Sequence, residues 1–159
     1  MCGICGIIGG YGDRTEPAVR AMMQAMVHRG PDDEGYKKRP IGDDQSGAIA
    51  AFGFRRLSVL DLTPAGHQPM IDEATGNCLV FNGEIYNFRH IRSRLEAQGV
   101  RLRSTGDTEV LLKALSCWGE SAIDELDGMF AFAFYEARSR RILLARDHLG
   151  IKPLYVARL

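Results

Sequence analysis

The hydrophobic pattern changes period several times along the chain, and each change predicts an element. Residues 3–10 are apolar and bounded by glycines, the mark of a strand. Val19, Met22, Met23 and Met26 then recur at helical spacing, with Thr15 as a cap, Pro17 in the first turn, and Gly30 and Pro31 as the stop. That methionine stripe reads as core packing rather than a binding groove. Residues 47–62 are mostly apolar and read as one or two strands, and residues 77–81 as another short one. Phe88, Ile91 and Leu95 mark a second amphipathic helix ended by Gly99. Leu111, Ala114, Leu115 and Trp118 mark a third, with Ser104, Thr105 and Asp107 at its start and Gly119 at its end; residues 121–126 read as a helical turn. In MFAFAFYE, residues 129–136, Phe130, Phe132 and Phe134 share one face and Ala131, Ala133 and Tyr135 the other. Residues 142–145, across a polar turn at 138–140, are apolar as well. A hairpin apolar on both faces must be covered on both. Helices on one side and a second sheet on the other give layers of helix, sheet, sheet and helix, an α+β architecture.

Composition narrows the function classes. The 159 residues fit one domain, whose core needs no staples. Basic and acidic residues balance at 20 each, so no whole-molecule field draws the chain to nucleic acid or membrane. Arg89, Arg92, Arg94, Arg101 and Arg103 form a local basic stretch without interleaved aromatics, read as a solvated helix face rather than an RNA contact. No run spans a bilayer and no secretory leader opens the chain, so a cytoplasmic setting with reduced thiols is expected.

The opening MCGICG places Cys2 and Cys5 at C-x-x-C spacing. The glycine and isoleucine residues around them read as strand, whereas a redox pair needs a helix behind the first thiol. Zinc wants a second pair, and Cys78 and Cys117 do not make one. A third option is loss of Met1, which gives Cys2 both a thiol and an α-amine with an ordinary pKa of about 8. Nucleophile and base then share one residue. Beside it stands the plain alternative of a small buried side chain at a chain end.

Three further stretches each have two readings. FNGE, residues 81–84, reads first as an Asn-Gly hairpin turn; the same pair would equally supply two donors to an oxyanion. Asp107 and Glu109 in GDTE suit the first turn of a helix, or Asp107 receives a ligand ammonium. Arg56 in RRLS reads as a solvated arginine at a strand end, or as a bidentate grip on a carboxylate.

These motifs occur together and in order: MCGICGIIGG, HRGPDDEG, RRLSVLDL, GHQPM, FNGEIYN, STGDTEVLL, DELDGMFAFAFYE and ARDHLGIKPLY. Together they resemble the glutaminase domain of class II glutamine amidotransferases, which are N-terminal nucleophile hydrolases, in the branch of the glutamine-hydrolysing asparagine synthetases. The resemblance spans essentially residues 1–159 and implies two antiparallel sheets in a four-layer sandwich. It implies Cys2 as nucleophile, with Asn82 and the Gly83 N–H as the oxyanion hole. It implies Arg56 on the glutamine α-carboxylate, Glu84 and Asp107 on its α-ammonium, and the backbone of Leu57, Ser58 and Val59 along the pocket. His28, in HRGPD, is expected to be hydrogen-bonded rather than catalytic. The implied partners are L-glutamine and an ammonia-accepting synthetase domain or subunit, with room for a homodimer. No cofactor is expected for the glutaminase step. ATP and magnesium would belong to a synthetase domain whose Ser-Gly-Gly-x-Asp-Ser loop is absent from these residues. A non-catalytic interaction module with Met1 retained, and a thiol redox or zinc protein, are the competing readings.

Overall fold

In the computed structural model, residues 2–9, 12–43, 46–58 and 64–158 are described. Two antiparallel sheets lie face to face. The first has the order β1-β3-β2, from β1 (Gly3–Gly9), β2 (Asp33–Pro40) and β3 (Ile49–Arg56). The second has the order β4-β5-β6-β7, from β4 (Met70–Ile71), β5 (Cys78–Ile85), β6 (Gly128–Glu136) and β7 (Arg141–Arg146). Helix α1 (Thr15–Ala25) covers the first sheet; α2 (Phe88–Ala97) and α3 (Asp107–Trp118) cover the second.

Strand alternation sorts the core into the three interfaces this stacking requires. Ala50, Phe52 and Phe54 of β3 meet Val80, Ala133 and Tyr135 between the sheets. Phe130, Phe132 and Phe134 point the other way, into the cluster shared with Ile91, Leu95, Leu111 and Leu115. Val19 and Met23 pack on Ala51 beneath α1. The two apolar faces of MFAFAFYE therefore meet a sheet and a helix layer, as their pattern required.

Several local expectations change. Thr15 is the first residue of α1 rather than its cap, and its buried hydroxyl has no hydrogen-bond partner among the described residues. Met26 lies just past α1, where its sulfur would come within 3.1 Å of a Cβ at Gly3. The FNGE segment is not a turn: Asn82 and Gly83 continue β5 opposite Ala131 and Phe130 of β6. Residue 83 must be glycine, because a Cβ there would stand 2.3 Å from the Met129 carbonyl oxygen. Strand β2 carries no alternating signal; Lys37, Lys38, Arg39 and Pro40 are the residues of a protected sheet edge. The basic stretch engages neighbours: Arg92 with the Ser104 carbonyl, Arg94 with Glu125 and over Trp118, and Arg103 with Glu73. No helix among the described residues is long and apolar enough to cross a membrane.

Beyond β7, Asp147 clasps the following turn to β6. Its carboxylate accepts the N–H groups of Phe130 at 3.1 Å, Ile151 at 2.8 Å and Lys152 at 2.9 Å. Burial opposes the charge, but these N–H donors outweigh it and hold the Asp147 carboxyl below its ordinary range. A depressed carboxyl stabilises the fold above its ordinary pKa, and that stability is lost as pH falls through the lowered value. Asp147→Ala orphans two buried donors, Phe130 and Lys152, and a part-buried one, Ile151, and is expected to cost about 3 kcal/mol. Urea unfolding at neutral pH checks this, with an unchanged midpoint as the contrary result.

Candidate active site

Alternation decides which of two cysteines can reach a pocket. Cys2 lies just before β1 and packs, with Ile4, into the space between the sheets. Cys5 is three residues on and faces α1 instead, where its Sγ lies 3.9 Å from the Val19 carbonyl and 3.8 Å from that of Gly53. Burial raises the Cys5 thiol to about 11 despite the Gly53 contact, so it stays protonated. The C-x-x-C spacing therefore does not form a pair. Cys2 Sγ is held at the end of β3, 3.5 Å from the Leu57 N–H and 3.6 Å from the Leu57 carbonyl. Arg29 Nε donates to the Cys2 carbonyl at 3.4 Å, which fastens the beginning of the chain. Arg29, rather than His28, thus makes the motif's contact to Cys2; among the described residues the His28 side chain has no hydrogen bond.

Cys2 lines a cavity of about 240 Å³ together with Arg56, Leu57, Asn82, Gly83, Glu84 and Asp107. Seven of the nine residues singled out from the sequence thus converge. Ser58 is not among the lining residues; its N–H is spent on Asp32 Oδ2 at 2.8 Å. Val59 and the Met1–Cys2 bond lie outside the described residues.

The floor of the cavity is the edge of β5. Strand β4 pairs only with Cys78 and Leu79, so among the described residues β5 has no strand neighbour on that edge beyond this point. N–H groups alternate between the two edges of a strand, which puts those of Phe81, Gly83 and Ile85 on this edge. Gln68 Oε1 accepts from Phe81 at 2.6 Å, and Asp107 Oδ2 accepts from Ile85 at 3.0 Å. Between them, the Gly83 N–H has no hydrogen-bond partner among the described residues. Asn82 lies on the β5 face turned toward the first sheet, the side on which Cys2 packs.

The lining of the cavity carries both signs of charge. Arg56 is 8% exposed rather than solvated. Its side chain folds against Gly66: a Cβ at residue 66 would stand 2.1 Å from Arg56 Nη2. Arg55, next in sequence, faces away and bonds the Gly30 carbonyl and Glu34. Asp107, on the same cavity, is 5% exposed at the first position of α3, and Glu84 is close enough for its charge to act on it. Desolvation raises the Asp107 carboxyl above its ordinary value; the Ile85 N–H lowers it, and the Glu84 charge adds to the rise. A buried carboxyl held in this way gains from an incoming cation. Glu109, the other acid of GDTE, is structural: it accepts the N–H groups of Arg103 and Ser104 ahead of α3.

Among the lining residues that carried no role in the sequence reading are Gly66, Gln68 and Lys152. Gly66 and Gln68 lie in GHQPM, and Lys152 in ARDHLGIKPLY, so the motifs were visible but their place on the cavity was not.

Comparison with known proteins gives the family and the fold. The family profile described as glutamine amidotransferase domain matches residues 1–159. Asparagine synthetase [glutamine-hydrolyzing] 1 of Bacillus subtilis is 41% identical over 98% of this chain and 24% of its own length. Asparagine synthetase B [glutamine-hydrolyzing] of Escherichia coli is 35% identical over 98% of this chain and 27% of its own. The chain spans about a quarter of the length of these relatives. Glutamine phosphoribosylpyrophosphate amidotransferase from B. subtilis shares the fold, with a TM-score of 0.63 at 19% identity over 90% of this chain and 37% of that one. From its profile match, its relatives and its sandwich of two antiparallel sheets, this chain belongs to the glutamine amidotransferase domain family.

Proposed function

We propose that the cavity hydrolyses the side-chain amide of L-glutamine to glutamate and ammonia, with Cys2 as nucleophile. The observation that carries this reading is the placement of the Cys2 thiol and the Gly83 N–H, which has no partner among the described residues, on one cavity that Arg56 and Asp107 also line. Those two charges match a zwitterion. Arg56 pairs with the α-carboxylate, and Asp107 and Glu84 receive the α-ammonium, with the backbone of Leu57 alongside. The side-chain amide is then left near the thiol.

With Met1 removed, the α-amine of Cys2 takes the thiol proton. Sulfur adds to the amide carbon, and the oxyanion rests on the Gly83 N–H and the Asn82 amide. Such donors contribute about 3 kcal/mol each in other acyl-transfer sites. The C–N bond breaks, the protonated amine returns its proton to the leaving nitrogen, and ammonia departs. Water cleaves the resulting γ-glutamyl thioester to glutamate and free thiol. Every proton moves between this residue, substrate and water, so the step needs no cofactor. Ammonia passes to a synthetase domain or subunit of the asparagine synthetase kind, to which ATP and magnesium belong. Glutamate release by the protein with and without Cys2 tests the reading, with equal rates as the result against it.

The zwitterion grip has a separate test. Gly66→Ala puts a methyl group where the Arg56 guanidinium lies. A side chain can move aside, so the fold should hold while the grip shifts. An increase in KM of about tenfold is expected, equivalent to ~1.4 kcal/mol of binding, with kcat changed less. Steady-state kinetics alongside thermal melting checks it; an unchanged KM would argue against a carboxylate on Arg56.

A further inference from the structure

The open edge of β5 is bracketed by two side chains, and only one of them has a place in the proposed chemistry. Resting on that reading, we propose that Gln68 is a positioning residue: it holds the edge of β5 so that the Gly83 N–H points into the cavity.

Strand β4 ends after two residues, and Gln68, 4% exposed, stands just before it. Its Oε1 takes the Phe81 N–H at 2.6 Å, the bond that a longer β4 would have made with backbone. The Gln68 backbone is pinned in turn: a Cβ at Gly35 of β2 would stand 1.9 Å from the Gln68 carbonyl oxygen. The side chain is thus a rigid strut from the first sheet to the edge of the second. On the far side of Gly83, Asp107 holds the Ile85 N–H. Two fixed points therefore flank a glycine, the residue with most backbone freedom, and confine its N–H to one direction.

A misplacement of about 1 Å in an acyl-transfer site costs on the order of 100-fold in rate. Loss of the strut should therefore appear in kcat, because the oxyanion forms only in the transition state, and the zwitterion grip should keep KM.

Gln68→Met retains length and bulk but removes the strong acceptor. Gln68→Glu retains an acceptor facing Phe81. The experiment compares glutamine kinetics and the Gly83 amide resonance in a proton–nitrogen correlation spectrum. For Gln68→Met, kcat is expected to fall at least about tenfold with KM within about threefold, and the Gly83 resonance to move. In Gln68→Glu that resonance stays near its original position. A Gly83 resonance unmoved in Gln68→Met overturns the proposal, as does a moved resonance with kcat unchanged. If Gln68→Met does not fold, Gln68→Asn, one methylene too short to reach Phe81, takes its place under the same criteria. If the unaltered protein released no more glutamate than Cys2→Ala, the functional reading would fail, and the Gly83 resonance would still decide whether Gln68 positions the edge.

Discussion

Cys2→Ala is expected to lower glutamate release from glutamine by on the order of 10⁴-fold or more, the scale seen when an acyl-transfer nucleophile is deleted. The expectation follows from where the thiol is held. Cys2 Sγ sits against the Leu57 N–H and carbonyl and lines the same cavity as Gly83. No second thiol can substitute. Cys5 faces α1, and Cys78 is fully buried between the sheets, its thiol raised to about 11 by burial against the lowering effect of Arg39 and Lys37. Cys5→Ala should keep most activity. Glutamine binding should largely survive Cys2→Ala, because Arg56 and Asp107 are untouched. Calorimetry on that variant separates binding from chemistry. Comparable glutamate release from Cys2→Ala and the unaltered protein would end the proposal; comparable loss in Cys5→Ala would show that the alternation argument fails.

Asp107→Asn should raise KM for glutamine by about 100-fold, since cutting one partner from a buried charge pair costs about 2–5 kcal/mol. The pH dependence sharpens the test. Burial first, then the Glu84 charge, keeps the Asp107 carboxyl above its ordinary value, so the empty site holds its proton to a higher pH than an exposed aspartate. A ligand ammonium favours the ionised form. Affinity should therefore rise with pH through that raised pKa and then level off. Asp107→Asn should remove this rise and leave any dependence due to Cys2. Stability runs in the opposite sense. Between the ordinary and the raised value the folded chain binds more protons than the unfolded one, so the Asp107 contribution is present at low pH and is lost as pH rises through the raised value. An asparagine can still accept the Ile85 N–H and carries no buried charge. Asp107→Asn should therefore melt slightly higher at neutral pH while binding glutamine far more weakly. A lower melting temperature together with an unchanged KM would place Asp107 in the fold rather than the site.

The layers were legible because the strands at the centre write both of their faces in the sequence. Phe130, Phe132 and Phe134 against Ala131, Ala133 and Tyr135 left no reading but burial on both sides. The helices were legible from their stripes and from glycines at Gly99 and Gly119, both with positive φ. Strand β2 was not, since an edge strand rich in lysine and arginine has one neighbour and little to bury. The FNGE segment misled for a physical reason. Asn-Gly favours a turn when nothing else acts on it, but here β6 passes so close that only glycine fits opposite Phe130. Arg56 was singled out by its motif rather than by its surroundings; strand parity then separates it from Arg55, which does not line the cavity. Gln68 was invisible as a strut: a glutamine that replaces a missing strand neighbour leaves no periodic trace.

The short β4 has a consequence outside catalysis. A bare strand edge is a template for adding another strand, which is how folded proteins recruit one another into aggregates. The chain guards the outer edge of β2 with Lys37, Lys38 and Arg39, but the working edge of β5 must stay bare to offer its N–H. Its protection is steric. The edge lines a cavity of about 240 Å³ together with Arg56, Gly66 and the first turn of α3. An amino acid fits that space and a polypeptide strand does not. The fold thus admits a small molecule to the kind of surface that makes sheets sticky, and keeps every other chain away from it.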